Sequence, residues 1–381
     1  MTNPRVVVIG AGSTGAAIAH DLALRGIQVT LVERFGPASG TTGHNQAQLH
    51  SGARYAVNDP HSARECAEEN LVLRRIMPHA LELNDGLFIA LNEEHLSYRE
   101  SFLEGCAQCN IPTEEITPGD ALQMEPTLNP DLLTAIRIPD GVFDPYRFTL
   151  SFIATARKNG ATFLPFSEVV SMEPARGKVR IHRKANNVMV ELDCDAIINA
   201  AGPWAPQVAE LAGISLGVEP SAGVMVTLSR RLCNMVINLL APPADGDIIV
   251  PQRNTSILGT TSWTVEDPDN IPIPPEHVDQ LLSLAEWMMP GASRVPVRGV
   301  MAAARPLIKD ESTSGRGSTR GDRSYDHAQD GAPGFFSIIG GKTTTARLMA
   351  EKICNMVCGY LGVETACRTR SEPLVSYRFG M

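Results

Sequence analysis

The chain has 381 residues and a formal net charge of −9, with an isoelectric point near 5.5. Hydrophobic residues make up 43 % and charged residues 20 % of it, which is typical of a folded globular protein and excludes a disordered or fibrous one. The acidic balance argues against a general nucleic-acid binder, so an anionic ligand has to be met by a local cluster of Arg or Lys.

The N-terminal segment has the order strand, glycine-rich turn, helix, strand. The β-branched run Arg5–Ile9 predicts a buried parallel strand, and residues 10–15 then read G-x-G-x-x-G. A helix is predicted to follow over residues 16–25. Residues 28–32 predict a second strand, which ends at Glu33. This arrangement is much more specific for nucleotide binding than the glycine motif alone.

Each residue type in this turn has its own task. Gly10 permits the tight turn, Gly12 lets the backbone approach a pyrophosphate, and Gly15 lets the helix pack closely on the strand. The helix N-terminus offers N–H groups and a positive dipole to the phosphates. Glu33 is placed to accept hydrogen bonds from ribose hydroxyls. We therefore predict a dinucleotide cofactor.

Three later segments favour FAD over NAD. An NAD-dependent dehydrogenase normally continues as a run of βα units, but here a loop of small residues, 36–52, follows the second strand. A strand at 195–199 leads into small residues at 200–202, and a strand at 335–339 leads into residues 340–345 and a helix over 346–360. A helix N-terminus at the pyrimidine edge of a flavin would stabilise the anion that forms on reduction.

Between these segments, short apolar runs indicate an antiparallel sheet, followed by a helix over 276–289. We predict an α/β protein with a discontinuous Rossmann-like FAD-binding domain and an α+β substrate-binding domain that contains the antiparallel sheet. The FAD-binding domain is predicted to comprise residues 1–85, 146–216 and 311–381, and the substrate-binding domain residues 86–145 and 217–310. The polar stretch 310–330 is predicted to be a mobile loop.

The eight cysteines are predicted to be reduced, as in a cytosolic protein. Cys106 and Cys109 have C-x-x-C spacing, but they lie late in a predicted helix over 96–109, and no second pair completes a metal site. No metal is predicted. No secretory signal is apparent, and no apolar run reaches the ~20 residues of a membrane helix. We expect a cytoplasmic protein without a transmembrane segment, and peripheral attachment to the membrane is left open.

Longer motifs resemble the FAD-dependent glycerol-3-phosphate dehydrogenases of the D-amino-acid-oxidase-like superfamily, and above all the flavoprotein subunit of the anaerobic bacterial enzyme. The resemblance covers nearly the whole chain. Besides the glycine turn, it is carried by LHSGARYAV (49–57), SAREC (62–66) with EN (69–70), DGLFI (85–89), NAAG (199–202), LGTTS (258–262), RPL (305–307), GGK (340–342) and RLMAE (347–351). The HSGARY and GGK blocks are its most specific parts.

The resemblance implies oxidation of a small anionic secondary alcohol, most of all sn-glycerol 3-phosphate to dihydroxyacetone phosphate. A hydride passes to flavin N5, and the hydroxyl proton passes to a base. The motifs and the resemblance together give the predicted FAD-binding residues Gly10, Gly12, Ser13, Thr14, Gly15, Glu33, Arg34, Thr41, Thr42, Val169, Ala200, Ala201, Gly202, Gly340, Gly341, Lys342, Thr343 and Thr344.

The resemblance also places five side chains around the substrate: Arg54, Tyr55, Arg305, Arg320 and Lys342. Arg forks clamp phosphate or carboxylate, and Lys supplies a point charge. A structural ion pair remains an alternative role for Arg305, and a solvated surface position remains one for Arg320.

Catalytic roles are predicted for His50, Arg305 and Lys342. His50 is the natural proton acceptor, since a neutral imidazole titrates near working pH. A packed histidine beside the flavin remains the alternative role for His50.

Two departures from the family pattern bear on function. The anaerobic flavoprotein has a further C-terminal region, whereas this chain stops at Met381. The electron acceptor is therefore left open between a quinone, O2 and a partner subunit. The family usually has an aromatic residue before the Arg of its GGK block, where this chain has Ala346. A wider pocket and another substrate are therefore left open.

Two alternative functions remain. One is a 2-hydroxy-acid or amino-acid oxidase or dehydrogenase of the same superfamily, and the other is a non-catalytic relay subunit that binds flavin. One carboxylate clamp on its own would favour the oxidase, whereas several convergent cations favour a phosphate-bearing substrate.

Overall fold

The computed structural model describes residues 3–308 and 321–379. Their helices are α1 (Ser13–Leu24), α2 (Pro60–Ile76), α3 (Glu93–Ser97), α4 (Arg99–Gln108), α5 (Pro118–Met124), α6 (Pro145–Lys158), α7 (Ala205–Glu210), α8 (Pro275–Met288) and α9 (Ala346–Leu361). Their strands are β1 (Arg5–Ile9), β2 (Gln28–Val32), β3 (Gln48–Leu49), β4 (Leu81–Glu82), β5 (Gly86–Ala90), β6 (Glu114–Ile116), β7 (Thr134–Ile138), β8 (Gly141–Phe143), β9 (Thr162–Leu164), β10 (Ser167–Glu173), β11 (Lys178–Arg183), β12 (Val188–Asp193), β13 (Ala196–Asn199), β14 (Val218–Leu228), β15 (Val236–Leu239), β16 (Ile248–Gln252), β17 (Thr255–Gly259), β18 (Trp263–Thr264), β19 (Val297–Ile308), β20 (Asp322–Asp326) and β21 (Phe335–Gly340).

A six-stranded sheet in the order β20-β21-β13-β1-β2-β9 forms one layer of the molecule. Its strands are parallel except for β20, which runs antiparallel to β21 at the edge. Helices α1, α6 and α9 pack on one face, and the three-stranded antiparallel sheet β10-β11-β12 covers the other. Burial on both faces explains why β1 is a continuous apolar run rather than an alternating one.

A nine-stranded, mostly antiparallel sheet forms the second layer, with β18-β14-β17-β16-β15-β5-β7-β6 as its path and β19 paired to β14. Strand β14 pairs with β19 over its whole length, from Val218 opposite Ile308 to Leu228 opposite Val297. Helix α8 covers one face of this sheet through Leu281, Ala285 and Met288. The long β14–β19 pair leads from this sheet to the edge of the six-stranded sheet, where the cavities lie.

The predicted fold class is confirmed, and β1, β2, β13 and β21 lie where the sequence placed them. Two local predictions were wrong. The helix predicted over 96–109 is two helices, α3 and α4, and the first begins at an Asn92 cap that accepts a hydrogen bond from the His95 amide. The stretch 310–330, predicted as a loop, contains the edge strand β20, while residues 309–320 lie outside the described part of the chain.

Candidate functional site

The glycine turn after β1 leaves no room for side chains. Gly10 has a φ of +100°, and a Cβ on it would lie 2.7 Å from the carbonyl oxygen of Ala200. A Cβ on Gly15 would lie 1.8 Å from the carbonyl oxygen of Gly10. The turn is therefore packed tightly between β1, β13 and α1, as the motif requires.

Glu33, at the end of β2, is bonded to the glycine turn. Its Oε2 accepts a hydrogen bond from the Ala11 amide at 2.8 Å, and its Oε1 accepts one from the Phe35 amide at 2.9 Å. Each carboxylate oxygen has a second lone pair available to a ligand. Glu33 thus fixes the shape of the turn and also lines the cavity beside it.

A cavity of about 570 Å³ opens over the carboxyl ends of the parallel strands. It brings together nearly all of the predicted cofactor residues, which come from distant parts of the chain: Gly10, Gly12, Ser13, Thr14, Glu33, Arg34, Thr41, Thr42, Val169, Ala200, Ala201, Gly202, Gly340, Gly341, Lys342 and Thr343. Of the other two, Gly15 lies behind the turn, and Thr344 lines a neighbouring cavity.

That neighbouring cavity has a volume of about 170 Å³ and shares part of its wall with the first. The shared wall is formed by Thr41, His44, Ala303, Pro306, Gly340, Gly341, Lys342 and Thr343. The smaller cavity brings together the predicted proton acceptor His50 and four of the predicted substrate residues, Arg54, Tyr55, Arg305 and Lys342. Arg320 lies outside the described residues.

His50, Tyr55 and Lys342 form one packed group in this cavity. The rings of His50 and Tyr55 meet edge to face with centroids 5.3 Å apart, and Nζ of Lys342 lies 4.5 Å from the centroid of the Tyr55 ring. The backbone amide of His50 donates to Thr344 Oγ1 at 3.2 Å. These contacts join the turn after β3 to the glycine turn after β21.

Arg54 forms a buried ion pair that the sequence did not predict. Its Nη1 and Nη2 lie 2.7 and 2.8 Å from the two carboxylate oxygens of Asp247. Burial lowers the pKa of Arg54, but the charge and hydrogen bonds of Asp247 outweigh burial and raise that pKa above its ordinary value. Arg54 is therefore a fixed cation whose direction Asp247 sets.

Arg305 on β19 is held differently. Its Nη1 donates to the Ala222 carbonyl oxygen at 3.1 Å, and its Nη2 donates to Thr260 Oγ1 and, at 3.3 Å, to the Thr261 carbonyl oxygen. A Cβ on Gly223 would lie 2.6 Å from Arg305 Nη2, so the guanidinium depends on a glycine beneath it. Backbone oxygens thus orient Arg305 along the wall of the smaller cavity.

A family model described as "FAD dependent oxidoreductase" (DAO) matches residues 5–347. This chain belongs to the family of FAD-dependent oxidoreductases.

This FAD-dependent oxidoreductase is similar in sequence to subunits of anaerobic glycerol-3-phosphate dehydrogenase from several organisms. It is 41 % identical over 389 residues to the A1 subunit of anaerobic glycerol-3-phosphate dehydrogenase from Haloferax volcanii, with 98 % of this chain and 66 % of that protein covered. It is 40 % identical over 371 residues to the corresponding subunit of the Escherichia coli K12 enzyme, with 96 % and 68 % covered. The chain thus spans about two thirds of the length of these relatives.

Solved structures show the same fold. Glycerol-3-phosphate dehydrogenase from Bacillus halodurans, complexed with FAD, superposes with a TM-score of 0.72 at 23 % identity, with 98 % of this chain and 68 % of that one covered. L-α-glycerophosphate oxidase from Mycoplasma pneumoniae, with FAD bound, gives a TM-score of 0.78 at 19 % identity and covers 98 % and 100 %. The predicted cofactor, FAD, is confirmed by the family and these neighbours.

The larger cavity of this FAD-dependent oxidoreductase fits a flavin dinucleotide. A Cβ on Gly12 would lie 3.0 Å from Thr42 Oγ1 and crowd that side chain, and both residues line the cavity. The buried Nε1 of Trp204 has no hydrogen-bond partner among the described residues, and a ligand oxygen or nitrogen would satisfy it. A polar, glycine-lined cradle with an unused donor is the environment that a nucleotide requires.

The outer end of this cavity contains residues that the sequence analysis missed. The Arg34 guanidinium lies 4.6 Å from the ring of Trp204 and 5.0 Å from the ring of Phe35. Its Nη2 is 2.6 Å from Asp269 Oδ1, and Asp269 lies in a distant part of the sequence. No local pattern marks Trp204 or Asp269, because only the tertiary fold brings them to Arg34.

Ala346, which the sequence analysis connected with a wider substrate pocket, is fully buried in the hydrophobic cluster around α1. It is not among the described residues that line either cavity. The wider pocket that was left open for this position is therefore not found among the described residues.

None of the helices formed by residues 3–308 and 321–379 is both long and apolar enough to cross a membrane. Within the same ranges, no group of three or more His, Cys, Asp or Glu side chains could hold a metal ion.

Asp140, behind the smaller cavity, makes stability depend on pH. Its carboxylate is buried, and it accepts hydrogen bonds from the Ser51 amide and from Gln48 Nε2, both at 2.6 Å. Burial raises the pKa of Asp140 from 3.8 to about 6. Between these two values the folded state holds a proton that the unfolded state has lost, so this group's contribution to stability falls as the pH rises.

Replacing Asp140 by Asn removes this contribution. The free energy of unfolding of Asp140→Asn, relative to the unsubstituted protein, is expected to rise by about 2 kcal/mol from pH 4 to pH 7. Urea unfolding followed at both pH values measures this difference. The exposed Asp131→Asn serves as the control and should show no comparable change. A constant difference between Asp140→Asn and the unsubstituted protein would contradict the shifted pKa.

Proposed function

We propose that this chain oxidises sn-glycerol 3-phosphate to dihydroxyacetone phosphate with FAD as its cofactor. The observation that carries the proposal is the convergence of three cationic side chains, Arg54, Arg305 and Lys342, on a cavity that shares a wall with the FAD cavity. Several cations suit a phosphate better than a single carboxylate. Relatives with 40–41 % identity over nearly the whole chain are named as a subunit of anaerobic glycerol-3-phosphate dehydrogenase.

The proposed roles of the residues follow from their chemistry. Arg305 and Lys342 bind the phosphate, and Arg54, whose charge is paired with Asp247, lines the wall of the cavity beside them. His50 accepts the proton of the hydroxyl that is oxidised, and Tyr55 packs between His50 and Lys342. FAD, when bound, supplies the two-electron acceptor for the alcohol carbon.

We also propose the division of the chain into two discontinuous domains. The FAD-binding domain comprises residues 1–85, 146–216 and 311–381, and the substrate-binding domain comprises 86–145 and 217–310. The two large sheets support this division: every strand of the six-stranded sheet lies in the first set of residues, and every strand of the nine-stranded sheet lies in the second.

The FAD site is proposed to use the cavity residues named above, with Glu33 on the ribose hydroxyls. Glu33→Gln is expected to weaken FAD binding by about 10-fold or more, because it removes a charged acceptor and disturbs the Ala11 hydrogen bond. The dissociation constant is measured by titrating FAD into the apoprotein. Glu210→Gln, an exposed change on α7, is the control. Equal affinities in the two variants would contradict the role of Glu33.

We propose that electrons leave the reduced flavin for a partner subunit, with a quinone or O2 as alternatives. The relatives from Haloferax volcanii and Escherichia coli are each named as one subunit of an enzyme, which supports a partner. A cytoplasmic location is proposed as well, with peripheral attachment to the membrane as an open alternative.

Anaerobic bleaching of the flavin absorbance tests the activity. The holoprotein is mixed separately with sn-glycerol 3-phosphate, with 2-hydroxy acids and with amino acids. We expect rapid bleaching by glycerol 3-phosphate alone. Bleaching by a hydroxy acid or an amino acid alone would replace this proposal by the oxidase alternative, and no bleaching by any compound would support the non-catalytic relay.

A further inference from the structure

Two glutamine side chains in the wall of the substrate cavity form a hydrogen-bonded chain with Asp140. Gln48 Nε2 donates to Asp140 Oδ2 at 2.6 Å, and Gln46 Nε2 donates to Gln48 Oε1 at 3.2 Å. Both glutamines line the cavity. At the end of this series of hydrogen bonds, Gln46 Oε1 is buried and has no hydrogen-bond partner among the described residues.

The direction of this chain is determined by its buried end. An ionised carboxylate only accepts hydrogen bonds, so Gln48 has to turn its NH2 group toward Asp140. The Gln48 oxygen then faces Gln46 and has to receive a donor, which turns the NH2 group of Gln46 toward Gln48. Reversing either amide would bring two oxygens together. The amide backbone of Ser51 donates to the other Asp140 oxygen, at 2.6 Å, and helps to hold the carboxylate in place.

We propose that Asp140 is a positioning residue that orients both glutamines, so that Gln46 Oε1 accepts a hydrogen bond from the substrate hydroxyl that is not oxidised. The inference rests on the proposed function and extends it to substrate selection. Glycerol 3-phosphate has three polar groups: a phosphate, the reacting secondary hydroxyl and a terminal hydroxyl. The cations suit the phosphate and His50 suits the reacting hydroxyl, which leaves the terminal hydroxyl in need of an acceptor.

An acceptor at this point selects for a class of substrate. A buried oxygen without a donor is costly, and a substrate hydroxyl removes that cost. A compound with hydrogen in place of the terminal hydroxyl leaves Gln46 Oε1 unpaired, so the site discriminates against it. A carboxylate at the same point has no proton to donate, and the partial negative charge of the amide oxygen would repel it. The site therefore favours a phosphorylated polyol over a hydroxy acid.

The test compares sn-glycerol 3-phosphate with 2-hydroxypropyl phosphate, which retains the phosphate and the secondary alcohol but lacks the terminal hydroxyl. Flavin reduction in the holoenzyme gives kcat/KM for both. The unsubstituted enzyme is expected to prefer glycerol 3-phosphate by about 10- to 100-fold. In Gln46→Met the preference should fall to within about threefold of unity, through loss of activity on glycerol 3-phosphate only. Gln108→Met, at the exposed end of α4, is the matched control and should retain the full preference.

Asp140→Asn distinguishes positioning from a purely structural role. Asn can donate as well as accept, so Gln48 is no longer held in one orientation, and the preference should fall while activity on 2-hydroxypropyl phosphate is retained. A purely structural role would lower both activities by the same factor and leave the preference unchanged.

The outcomes separate this inference from the proposed function. An active enzyme whose preference is unchanged in Gln46→Met would overturn the role of the glutamines and leave the proposed function intact. If neither phosphate reduces the flavin of the unsubstituted enzyme, the proposed function is overturned, and the inference with it.

Discussion

Arg305→Ala is expected to lower kcat/KM for glycerol 3-phosphate by about 100-fold or more, mainly through a higher KM. The guanidinium is oriented by the carbonyl oxygens of Ala222 and Thr261 and by Thr260 Oγ1, so it is already in place before the substrate arrives. Removing one charged donor from a partly buried anion site costs about 2–5 kcal/mol, which corresponds to a loss of about one and a half to three and a half orders of magnitude in affinity.

Arg298→Ala provides the control for this prediction. Arg298 lies on the same strand, β19, but it is exposed and lines neither cavity, so its loss should change kcat/KM less than twofold. Steady-state kinetics with an artificial electron acceptor measure both variants, and flavin content and thermal midpoint check that both are folded. A folded, FAD-replete Arg305→Ala enzyme with unchanged KM and kcat would show that Arg305 does not bind the phosphate.

The parts of the site that could be predicted from sequence are those set by local spacing. The turn that holds Gly10 and Gly15, and Glu33 at the end of the next strand, depend on neighbouring residues alone, so their pattern can be recognised in one segment. The GGK block was identifiable for the same reason, because packing alone seldom places a lysine between a glycine turn and a helix. The structure places these segments around one cavity, as expected from glycine-bearing strand ends that together form one discontinuous cofactor domain.

The parts that could not be predicted depend on pairs of residues far apart in sequence. Asp247, which directly precedes β16, orients Arg54 from a distant part of the sequence, and nothing in the residues around Asp247 distinguishes it from a surface aspartate. Asp140 likewise follows an ordinary strand, and its unusual environment comes from Ser51 and Gln48. The charge of Arg54 was therefore predictable, but the partner that directs it was not.

The mispredicted edge strand has a comparable cause. Residues 322–326 read Asp-Arg-Ser-Tyr-Asp, which has the polar character of a loop. The segment becomes a strand because β21 offers an unpaired edge, and Tyr325 pairs opposite Ser337. Tertiary pairing outweighs local propensity at such an edge.

A buried ion pair, Arg347 with Glu69, connects the two segments that flank the site. Arg347 lies in the first turn of α9, which follows the glycine turn that carries Lys342. Glu69 lies on α2, which follows the turn that carries Arg54. The Nε and Nη2 atoms of Arg347 lie 2.7 and 2.6 Å from the two carboxylate oxygens of Glu69, and both side chains are at most 1 % exposed. Burial raises the pKa of Glu69 even though Arg347 acts to lower it.

Arg347→Met is expected to destabilise the holoenzyme by about 3–5 kcal/mol, because it leaves the Glu69 carboxylate buried without its counter-charge. Urea unfolding at pH 7 measures the effect. Arg370→Met, which removes an exposed ion pair from Glu68 on the same helix α2, is the matched control and should cost little.

The double variant Arg347→Met with Glu69→Leu decides what the pair contributes. If the cost of Arg347→Met comes from the unpaired Glu69 carboxylate, removing that carboxylate as well should restore most of the lost stability. Buried ion pairs are often no more stabilising than apolar side chains of similar size. Two further partners of Arg347 Nη1 are affected less: Glu351 is partly exposed to solvent, and Thr369 Oγ1, which accepts from Nη1 at 2.9 Å, also contacts Cys367 Sγ at 3.1 Å. If the double variant is as unstable as Arg347→Met, the pair itself holds α9 against α2. Flavin reduction by glycerol 3-phosphate should then fall in both variants, because Lys342 and Arg54 would lose their common support.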